Sequence, residues 1–447
     1  MLDKTIAARI FEEVDRDFDR QMADTQRFAA IPSLRGREGP AQDYIADLLR
    51  DRGYEVDDWT VQPGDLAGLP DLGALERVPA GVRSVVGTLR PEGGGGGRSL
   101  IIQGHCDVVP AGPADMWNSP AFVPEIRDGW LYGRGAGDMK AGTIAGIYAI
   151  EALRRAGLRL NERLHLQSVV EEESTGAGAL AVLQRGYRAD CALLPEPTGL
   201  AYNGICVGVV WFRLRVRGRP AHVASAGSGA NAIKAIYPLI KALEELEERW
   251  NERAAKDPDY REVKHPINFN PGIIKGGDWA SSVPAWCDLD WRLAILPGWN
   301  LNDCRREVED CVKQAASRNP FLAQNPPKLE WSGFLSHGYR ATERPDIMQA
   351  LEHAHSNATG EPLRHKTSTG ANDARFYGNY FDIPAFCYGP LAENIHGLDE
   401  RVSLDSIRAA TKTIACFAAE WCGVYRIDSL RDSEAAGTCG GCDGDEE

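Results

Sequence analysis

The sequence predicts an α/β protein with a mainly parallel sheet flanked by helices, interrupted by an inserted α+β domain. The chain has 447 residues, which is more than one hydrophobic core usually organises. Short apolar strands alternate with helical segments from about residue 99 to 194. From about residue 207 this alternation gives way to patterned antiparallel strands and longer helices, which indicates a second domain.

The first region begins with helical periodicity. Apolar residues recur at helical spacing from residue 3 to about 30, and a second helix is expected over 40–53. After a flexible glycine turn, the predicted elements are strands at 99–103, 164–170 and 191–194 and helices at 140–156 and 178–185. Ligands bind beyond the carboxyl ends of the strands in such sheets, so the polar residues there are candidate site residues.

The inserted domain is expected over 207–334. Residues 209–217 alternate as an exposed antiparallel strand would. The further predicted elements are a helix at 230–251, strands at 267–274 and 285–295, and a helix at 302–318. The α/β pattern then resumes, with a late buried strand at 380–388. The main domain is therefore predicted in two parts, 1–206 and 335–430, followed by an acidic disordered tail, 431–447.

The charge and the hydropathy of the chain exclude some classes of binding partner. The chain carries 50 basic and 64 acidic residues, a net charge of −14, which argues against nucleic-acid and anionic-membrane surfaces. The N-terminal segment lacks the apolar core of a signal peptide, and no uninterrupted apolar run approaches a membrane span. We therefore expect a cytoplasmic protein that binds neither membrane nor nucleic acid.

The cysteines do not form a recognisable framework. Eleven of them are scattered along the chain, which disfavours a disulfide scaffold. The close pair Cys439 and Cys442 lies in the acidic tail, and a single CxxC is a weak indication of zinc or redox chemistry.

A histidine and an acid end the first buried strand. His105 and Asp107 are two positions apart, so their side chains point the same way while Cys106 points the other way. A metal-bound imidazole usually needs its second nitrogen held by an acceptor, and Asp107 is placed for that role. His105 is therefore a candidate metal ligand, and the alternative is a core histidine bonded to a neighbouring acid.

Asp138 lies between a glycine-rich turn, 133–137, and the start of a helix. Such a turn can cradle phosphate, but an acid at its apex would repel one. Asp138 is either the N-cap of the helix or a carboxylate that bridges two cations.

Three adjacent acids, Glu171, Glu172 and Glu173, close the strand 164–170. They repel one another there unless a cation compensates, although a solvated charge run is the usual alternative. Neighbouring residues of an extended chain point opposite ways, so one glutamate can bind metal while the next serves as a general base.

Glu196 and His396 each follow another apolar stretch. Together with His105, Asp138 and one of the three glutamates, they supply two histidines and three carboxylates. If one carboxylate bridges, each of two metal ions receives two protein ligands plus a share of the bridge, which leaves room for a bridging water. Oxygen and nitrogen ligands favour zinc, with cobalt or manganese as alternatives.

Five motifs resemble the dizinc aminoacylase and carboxypeptidase family, which includes acetylornithine deacetylase, succinyl-diaminopimelate desuccinylase and a bacterial glutamate carboxypeptidase. They span most of the chain in the family's order: Gly104-His-Cys-Asp-Val-Val-Pro, Gly133-Arg-Gly-Ala-Gly-Asp-Met-Lys-Ala-Gly, Glu171-Glu-Glu-Ser-Thr-Gly-Ala-Gly, Glu196-Pro-Thr and His396-Gly-Leu-Asp-Glu. The resemblance implies a zinc-exopeptidase-like catalytic domain and an insert that serves as a lid and forms a homodimer.

The resemblance also implies a ligand set. Asp138 would bridge two metal ions, with His105 and Glu196 on one and Glu173 and His396 on the other.

Three further roles are implied by the same resemblance. Glu172 would be the general acid/base, and Asp107 would orient the histidine of its motif. His222, in Gly218-Arg-Pro-Ala-His, would reach the partner subunit's active site and stabilise the oxyanion.

The substrate-binding motifs depart from the family's pattern. The lid motif Asn-x-x-Pro is here Ser281-Ser-Val-Pro, and the arginine expected ten residues beyond the proline is Ala294. Arg292 shares that strand face and is a candidate replacement, with a structural ion pair as the alternative. Arg375, in Thr369-Gly-Ala-Asn-Asp-Ala-Arg-Phe, is a candidate bidentate ligand for a substrate carboxylate, with a surface ion pair as the alternative.

The sequence therefore predicts a dinuclear metal amidohydrolase that cleaves an N-acyl amino acid or a related small amide. A dipeptidase or carboxypeptidase is the nearest alternative, since both reactions cleave amides. The altered lid also allows attack on an unusual C–N bond, such as that of an aromatic amine or carbamate. A metal-binding homologue without activity is the alternative from another class, and the complete set of ligands argues against it.

Overall fold

The computed structural model describes residues 2–72, 78–79, 81–91 and 96–426. The predicted acidic tail, 431–447, with its Cys439 and Cys442, lies outside the described residues, so that part of the organisation stays a prediction. Within the described ranges, no helix combines the length and the apolar character needed to cross a membrane.

The first part of the chain supplies most of the main sheet. Its helices are α1 (Lys4–Arg16), α2 (Phe18–Ala29), α3 (Gly39–Arg50), α4 (Ala141–Arg155) and α5 (Ala177–Gln184). Its strands are β1 (Glu55–Val61), β2 (Val82–Leu89), β3 (Leu100–His105), β4 (Glu125–Arg127), β5 (Trp130–Tyr132), β6 (Leu158–Leu160), β7 (Leu164–Val169), β8 (Cys191–Leu194) and β9 (Ala201–Cys206). The helical region predicted over residues 3–30 is divided at Asp17, which ends α1 and precedes α2.

The insert has its own sheet and its own hydrophobic cluster. Its helices are α6 (Ala232–Ala254), α7 (Leu301–Ser317) and α8 (Pro320–Gln324), and its strands are β10 (Gly208–Arg217), β11 (Phe269–Gly276), β12 (Trp286–Ile295) and β13 (Lys328–Leu335). The four strands are antiparallel in the order β11-β12-β10-β13 throughout the fully described segment 207–335. Phe212 and Leu214 on β10 are buried in that cluster, while Trp211 and Arg213, which alternate with them, are half-buried on the opposite face.

The last part of the chain returns to the main sheet. Its helices are α9 (Pro345–Thr359), α10 (Ala374–Phe381) and α11 (Leu404–Cys422), and its strands are β14 (Tyr339–Arg340), β15 (Arg364–Ser368), β16 (Ala385–Cys387), β17 (Ala392–Glu393), β18 (Arg401–Ser403) and β19 (Val424–Arg426). The late strand is shorter than the predicted 380–388. Tyr380 and Phe381 belong to α10, which ends at Asp382 in a left-handed conformation. Short apolar runs suit a buried helix and a buried strand equally well, which explains the error.

The main sheet contains nine strands within the described ranges, in the order β1-β2-β7-β3-β8-β16-β9-β14, with β15 also paired to β9. Its centre, β7-β3-β8-β16, is parallel, while β1, β2 and β14 pair antiparallel. Strands β3, β7 and β8 are buried along their whole length, as expected when helices cover both faces. The predicted α/β class with an inserted α+β domain is thus confirmed, in a sheet that is mixed; the domain limits at 206/207 and 334/335 stay a prediction.

Candidate metal centre

His105, the three glutamates and Glu196 meet at one edge of the main sheet because they follow neighbouring parallel strands, whereas Asp138 and His396 are brought there by loops of a small separate sheet, β17-β18-β5-β4. β3 ends at His105, which lies opposite Val169 at the end of β7, and the three glutamates begin two residues after Val169. Glu196 follows β8, the next strand along the sheet. The carboxyl ends of parallel strands lie together, so residues far apart in the sequence share this edge.

Asp138 lies between two histidines. Its Oδ1 is 3.3 Å from His105 Nε2, and its Oδ2 is 3.5 Å from His396 Nε2. Glu173 Oε1 lies 3.0 Å from the same nitrogen of His396. His105, Asp138 and Glu173 each offer one donor atom, and these three atoms lie within 4.8 Å of one another. This spacing can hold a metal ion. The two oxygens of one carboxylate therefore face two different imidazoles, as a bridging ligand would.

The loop that carries Asp138 depends on a glycine. Gly135 has φ of +76°, and a Cβ there would lie 2.3 Å from Val108 Cγ1. Asp138 itself has non-helical φ and ψ, and its carboxylate faces the imidazoles. The N-cap of α4 is Lys140, not Asp138, and the role of Asp138 as a metal ligand stays a prediction.

Asp107 holds the adjacent loop. His105 Nδ1 lies 2.9 Å from the backbone carbonyl of Asp107 and 3.6 Å from its carboxylate. The Asp107 carboxylate instead accepts hydrogen bonds from the backbone N–H groups of Glu172, at 3.4 Å, and Glu173, at 3.1 Å. The second nitrogen of the imidazole is thus held by the main chain of Asp107, and its side chain fixes the glutamates.

The carboxylates of the centre are costly to ionise without a cation. Burial raises the pKa of Glu172 and that of Glu196 well above the ordinary glutamate value, although His105 opposes both shifts. Burial raises the pKa of Asp107 to about 7. For Asp138, hydrogen bonds from the two imidazoles outweigh burial and lower the pKa. A cluster of buried acids and imidazoles with nitrogen and oxygen donors fits divalent cations such as zinc.

A cavity of about 850 Å³ connects this cluster with the lid sheet. Asp138, Glu172, Glu173, Glu196 and His396 line one side of it. The other side is a row of side chains that runs across all four lid strands, Asn270, Arg292, Trp211 and Ser332, whose registers pair them in that order. A small molecule bound in the cavity would therefore contact both the cluster and the lid.

The sequence pattern of Peptidase family M20/M25/M40 matches residues 101–420, which is well over half of the chain. The chain belongs to this family. The resemblance carried by the five motifs is thereby confirmed.

Relatives of this M20 chain include enzymes that remove acyl groups. It is 27% identical to the N-formyl-4-amino-5-aminomethyl-2-methylpyrimidine deformylase of Halalkalibacterium halodurans, over 94% of this chain and 99% of the relative. It is 31% identical to the succinyl-diaminopimelate desuccinylase of an Azoarcus species, over 70% of this chain and 80% of the relative.

Solved structures share the fold at low sequence identity. The di-peptidase Dug1p of Saccharomyces cerevisiae superposes with a TM-score of 0.76 at 13% identity, covering 93% of this chain and 98% of that one. Human carnosine dipeptidase 1 gives a TM-score of 0.74 at 18% identity, covering 93% and 99%. Both structures match nearly the whole of this chain, so they share its α/β fold and its lid.

The remaining predicted residues lie apart from the cluster. His222 is exposed on the lid, where its Nδ1 accepts a hydrogen bond from Ala224 N at 3.1 Å. Arg292 lines the cavity and donates to the backbone carbonyls of Asn268, at 3.2 Å, and Thr369, at 3.1 Å. Neither bond is the ion pair considered for Arg292, and its predicted contact with substrate stays a prediction.

Arg375 is fully buried behind the cavity wall, rather than on the surface. Its Nη1 donates to the carbonyl of Asn372 at 2.6 Å and lies 3.7 Å from Asp373 Oδ1. Its guanidinium also lies against the rings of Phe334 and Phe376. A side chain held in this way supports the wall, and its predicted contact with substrate stays a prediction.

Two residues of this M20 centre were missed by sequence reasoning. Glu400 Oε1 accepts the backbone N–H groups of Gly137, at 2.9 Å, and Asp138, at 3.0 Å, while its Oε2 pairs with Arg134 Nη1 at 2.5 Å. Arg134 also donates to the carbonyl of Gly397 at 2.7 Å. This Arg134–Glu400 clamp joins the loops of Asp138 and His396. Both residues stand inside quoted motifs, so an arginine and an acid without an assigned role were the available signal.

Asp373 was also missed. It is fully buried near Glu172, and its Oδ2 accepts a hydrogen bond from Gln103 Nε2 at 3.1 Å. Burial raises the pKa of Asp373 to about 6, and the nearby Arg375 opposes the shift. It adds a further acid beside the proposed general base.

Proposed function

We propose that this protein is a dinuclear metal amidohydrolase that removes the acyl group from an N-acyl amino acid or a related small amide. The observation that carries the proposal is the position of Asp138, whose two carboxylate oxygens face His105 and His396. A carboxylate shared in this way is what two neighbouring cations require. Membership in the M20 family and the acyl-removing relatives support the same chemistry.

Five residues would hold the metals. Asp138 would be shared, His105 and Glu196 would complete one site, and Glu173 and His396 the other. The donor set favours zinc, with cobalt or manganese as alternatives. When bound, the metals would lower the pKa of a coordinated water and polarise the amide carbonyl, which together supply several kcal/mol of barrier reduction.

Glu172 is the proposed general base and acid. It lines the cavity beside the ligands and is nearly buried, and a carboxylate in that position can accept a proton and return it. It would take the proton from the attacking water and then deliver it to the leaving amine nitrogen. The Asp107 carboxylate would keep Glu172 in place through the backbone hydrogen bond already described.

The relatives favour acyl removal over peptide cleavage. The deformylases are 27% and 29% identical over most of this chain, whereas the dipeptidases match as folds at 13% and 18% identity. A dipeptidase or carboxypeptidase is the second candidate because both reactions cleave amides and the solved structures that share the fold include dipeptidases. The deformylases' names describe a formamide of an aminomethylpyrimidine, which supports small amides outside the amino acids.

A homodimer through the lid is part of the proposal. In the family, the histidine corresponding to His222 serves the partner's site, and His222 is exposed here on the lid. Large apolar side chains are also exposed on the lid, including Trp279, Ile274 and Tyr237. Closure of a second active site across that surface would make dimerisation a requirement for turnover.

The state of the cysteines is consistent with a reducing compartment. Each of the nine cysteines within the described ranges is a free thiol. We therefore include a cytoplasmic location in the proposal.

The test is chelator-reversible hydrolysis. The protein should bind two metal ions per chain and hydrolyse members of a panel of N-formyl, N-acetyl and N-succinyl amino acids faster than dipeptides. Chelation should abolish turnover, and zinc, cobalt or manganese should restore it. Two tightly bound metals without turnover of any amide would instead favour a non-catalytic homologue, and faster cleavage of dipeptides would favour the second candidate.

A further inference from the structure

One cross-strand row of the lid sheet forms part of the roof of the cavity. Register pairs Asn270 with Arg292, Arg292 with Trp211, and Trp211 with Ser332, so all four side chains share one face. All four line the cavity that also contains Asp138, Glu172 and His396. Trp211 is the one aromatic side chain among these four.

The position of Trp211 is set by an irregularity in the sheet. The register of β10 against β13 shifts between Val210 and Trp211, which leaves Gly333 and Phe334 outside regular pairing. Gly333 has φ of +61°, and a Cβ there would lie 2.3 Å from Trp211 Cε3. The indole therefore occupies space that only glycine leaves open.

Aromatic packing fixes the indole from behind. Phe334 contacts Trp211 edge to face, with 5.3 Å between ring centroids and 83° between planes. The buried Arg375 guanidinium lies 5.3 Å from the Phe334 ring. Phe334 thus lies between Trp211 and a fixed cation, which keeps the indole in one orientation.

The charged neighbours of Trp211 are engaged by the protein. Arg213 on the same face forms a bidentate pair with Asp290, at 2.5 and 2.7 Å. Both terminal nitrogens of Arg292 donate hydrogen bonds to backbone carbonyls. The flat, neutral indole is therefore the feature of this face best suited to select among substrates.

We propose that Trp211 is a specificity-determining residue and that the amine released by the reaction carries a planar aromatic ring that stacks against the indole. This inference rests on the proposed amide hydrolysis. It narrows the substrates to N-acyl derivatives of amino acids and amines that carry an aromatic ring. An aromatic ring on the leaving side gains contact with the oriented face of Trp211, whereas a branched aliphatic chain of similar length does not.

Four formamides test this, in two matched pairs. N-formyl-phenylalanine and N-formyl-leucine carry a carboxylate, while N-formyl-2-phenylethylamine and N-formyl-3-methylbutylamine are the same amines without it. The aromatic-to-aliphatic ratio of kcat/KM is taken within each pair, so any effect of Arg292 on a carboxylate cancels. The metal-loaded wild-type protein should prefer the aromatic member of each pair by about 3- to 10-fold.

Variants separate stacking from damage to the lid. Trp211→Leu should bring both aromatic-to-aliphatic ratios to about one, and Trp211→Phe should restore much of the preference. Trp331→Leu is the matched control: Trp331 lies in the same sheet on the opposite face, against Phe212, and donates to Glu309 at 2.8 Å. It should leave both ratios unchanged.

The outcomes distinguish the two levels of the proposal. Ratios near one in the wild-type protein, or an equal fall for all four amides in Trp211→Leu and in Trp211→Phe, would overturn the role of Trp211 and leave amide hydrolysis standing. Failure of the metal-loaded wild-type protein to hydrolyse any amide, including those of the broader panel, would overturn the proposed function itself.

Discussion

Replacement of Glu400 by glutamine should damage both the stability of the protein and its affinity for metal. Glutamine keeps the shape of the side chain, and its Oε1 can still accept the N–H groups of Gly137 and Asp138. Its amide nitrogen would then face the Arg134 guanidinium, a donor against a donor. The Arg134–Glu400 clamp would lose its charge pair while the cation stayed buried.

The size of the effect follows from burial. The side chains of Arg134 and Glu400 are 2% and 1% exposed, so solvent does not screen the loss. Removal of one partner from such a pair costs about 3–5 kcal/mol of unfolding free energy. At roughly 2 °C per kcal/mol for a large domain, Tm should fall by about 6–10 °C. Because the lost contacts position Asp138, metal affinity should fall about 10- to 100-fold.

Thermal unfolding and competition against a chromophoric chelator measure the two quantities. Glu393→Gln is the matched control, because Glu393 pairs with Arg401 on the surface, where such pairs contribute about 0–1 kcal/mol. It should unfold within about 2 °C of wild type and bind metal normally. A Glu400→Gln protein that behaved like this control would refute the argument that the clamp positions Asp138.

Three further predictions concern the centre and its surroundings. Glu172→Gln should keep both metal ions and lower kcat by about 10²- to 10⁴-fold, because proton transfer is lost; near-normal turnover at full metal content would remove Glu172 from its role. Chelation should lower Tm, and re-added zinc should restore it. At a free zinc concentration 100 times Kd, the unfolding free energy should rise by about 2.7 kcal/mol. A Tm that does not change with metal would contradict binding at this cluster. Stability should also decline slightly above about pH 6.5, because the hydrogen bond with Asp71 raises the pKa of His337 above its ordinary value of 6.5. That contribution is complete below the unfolded-state pKa and is lost as pH rises through the folded-state pKa; His337 is half exposed, so it should stay under about 1 kcal/mol. His337→Asn should flatten the fall of Tm between about pH 6 and 8, and an unchanged slope would rule this pair out.

The fold was readable where the pattern was local and strong. The buried strands that end at His105 and Val169 were predicted within a residue or two, since each is a short apolar run closed by polar residues. Helix α6 was predicted with its lid because its apolar residues recur every three or four positions. The strand predicted over 380–388 was largely wrong, because aromatic residues at the end of α10 satisfy either period.

The candidate site was readable for a similar reason. The motifs contain histidines and carboxylates, which are typical of metal binding and proton transfer. They supply His105, Asp138, Glu172, Glu173, Glu196 and His396, and all of these except His105 line one cavity. Arg375 was chosen by motif alone, and the structure buries it behind Phe334. Burial of a long charged side chain depends on what packs over it, which no local pattern encodes.

The sequence by itself determined the α/β class and the inserted lid and predicted the donor atoms of the candidate metal centre, because strand and helix periods and side-chain chemistry are properties of short segments. Only the tertiary structure decided that one oxygen of Asp138 faces each histidine, that Glu400 holds the Asp138 loop across 262 positions of sequence, and that Trp211 forms the roof of the cavity. These contacts join segments whose separation in the chain carries no information about their distance in space. They exist because neighbouring parallel strands end at one edge, the small sheet β17-β18-β5-β4 brings the loops of Asp138, His396 and Glu400 to that edge, and the lid sheet lies over it.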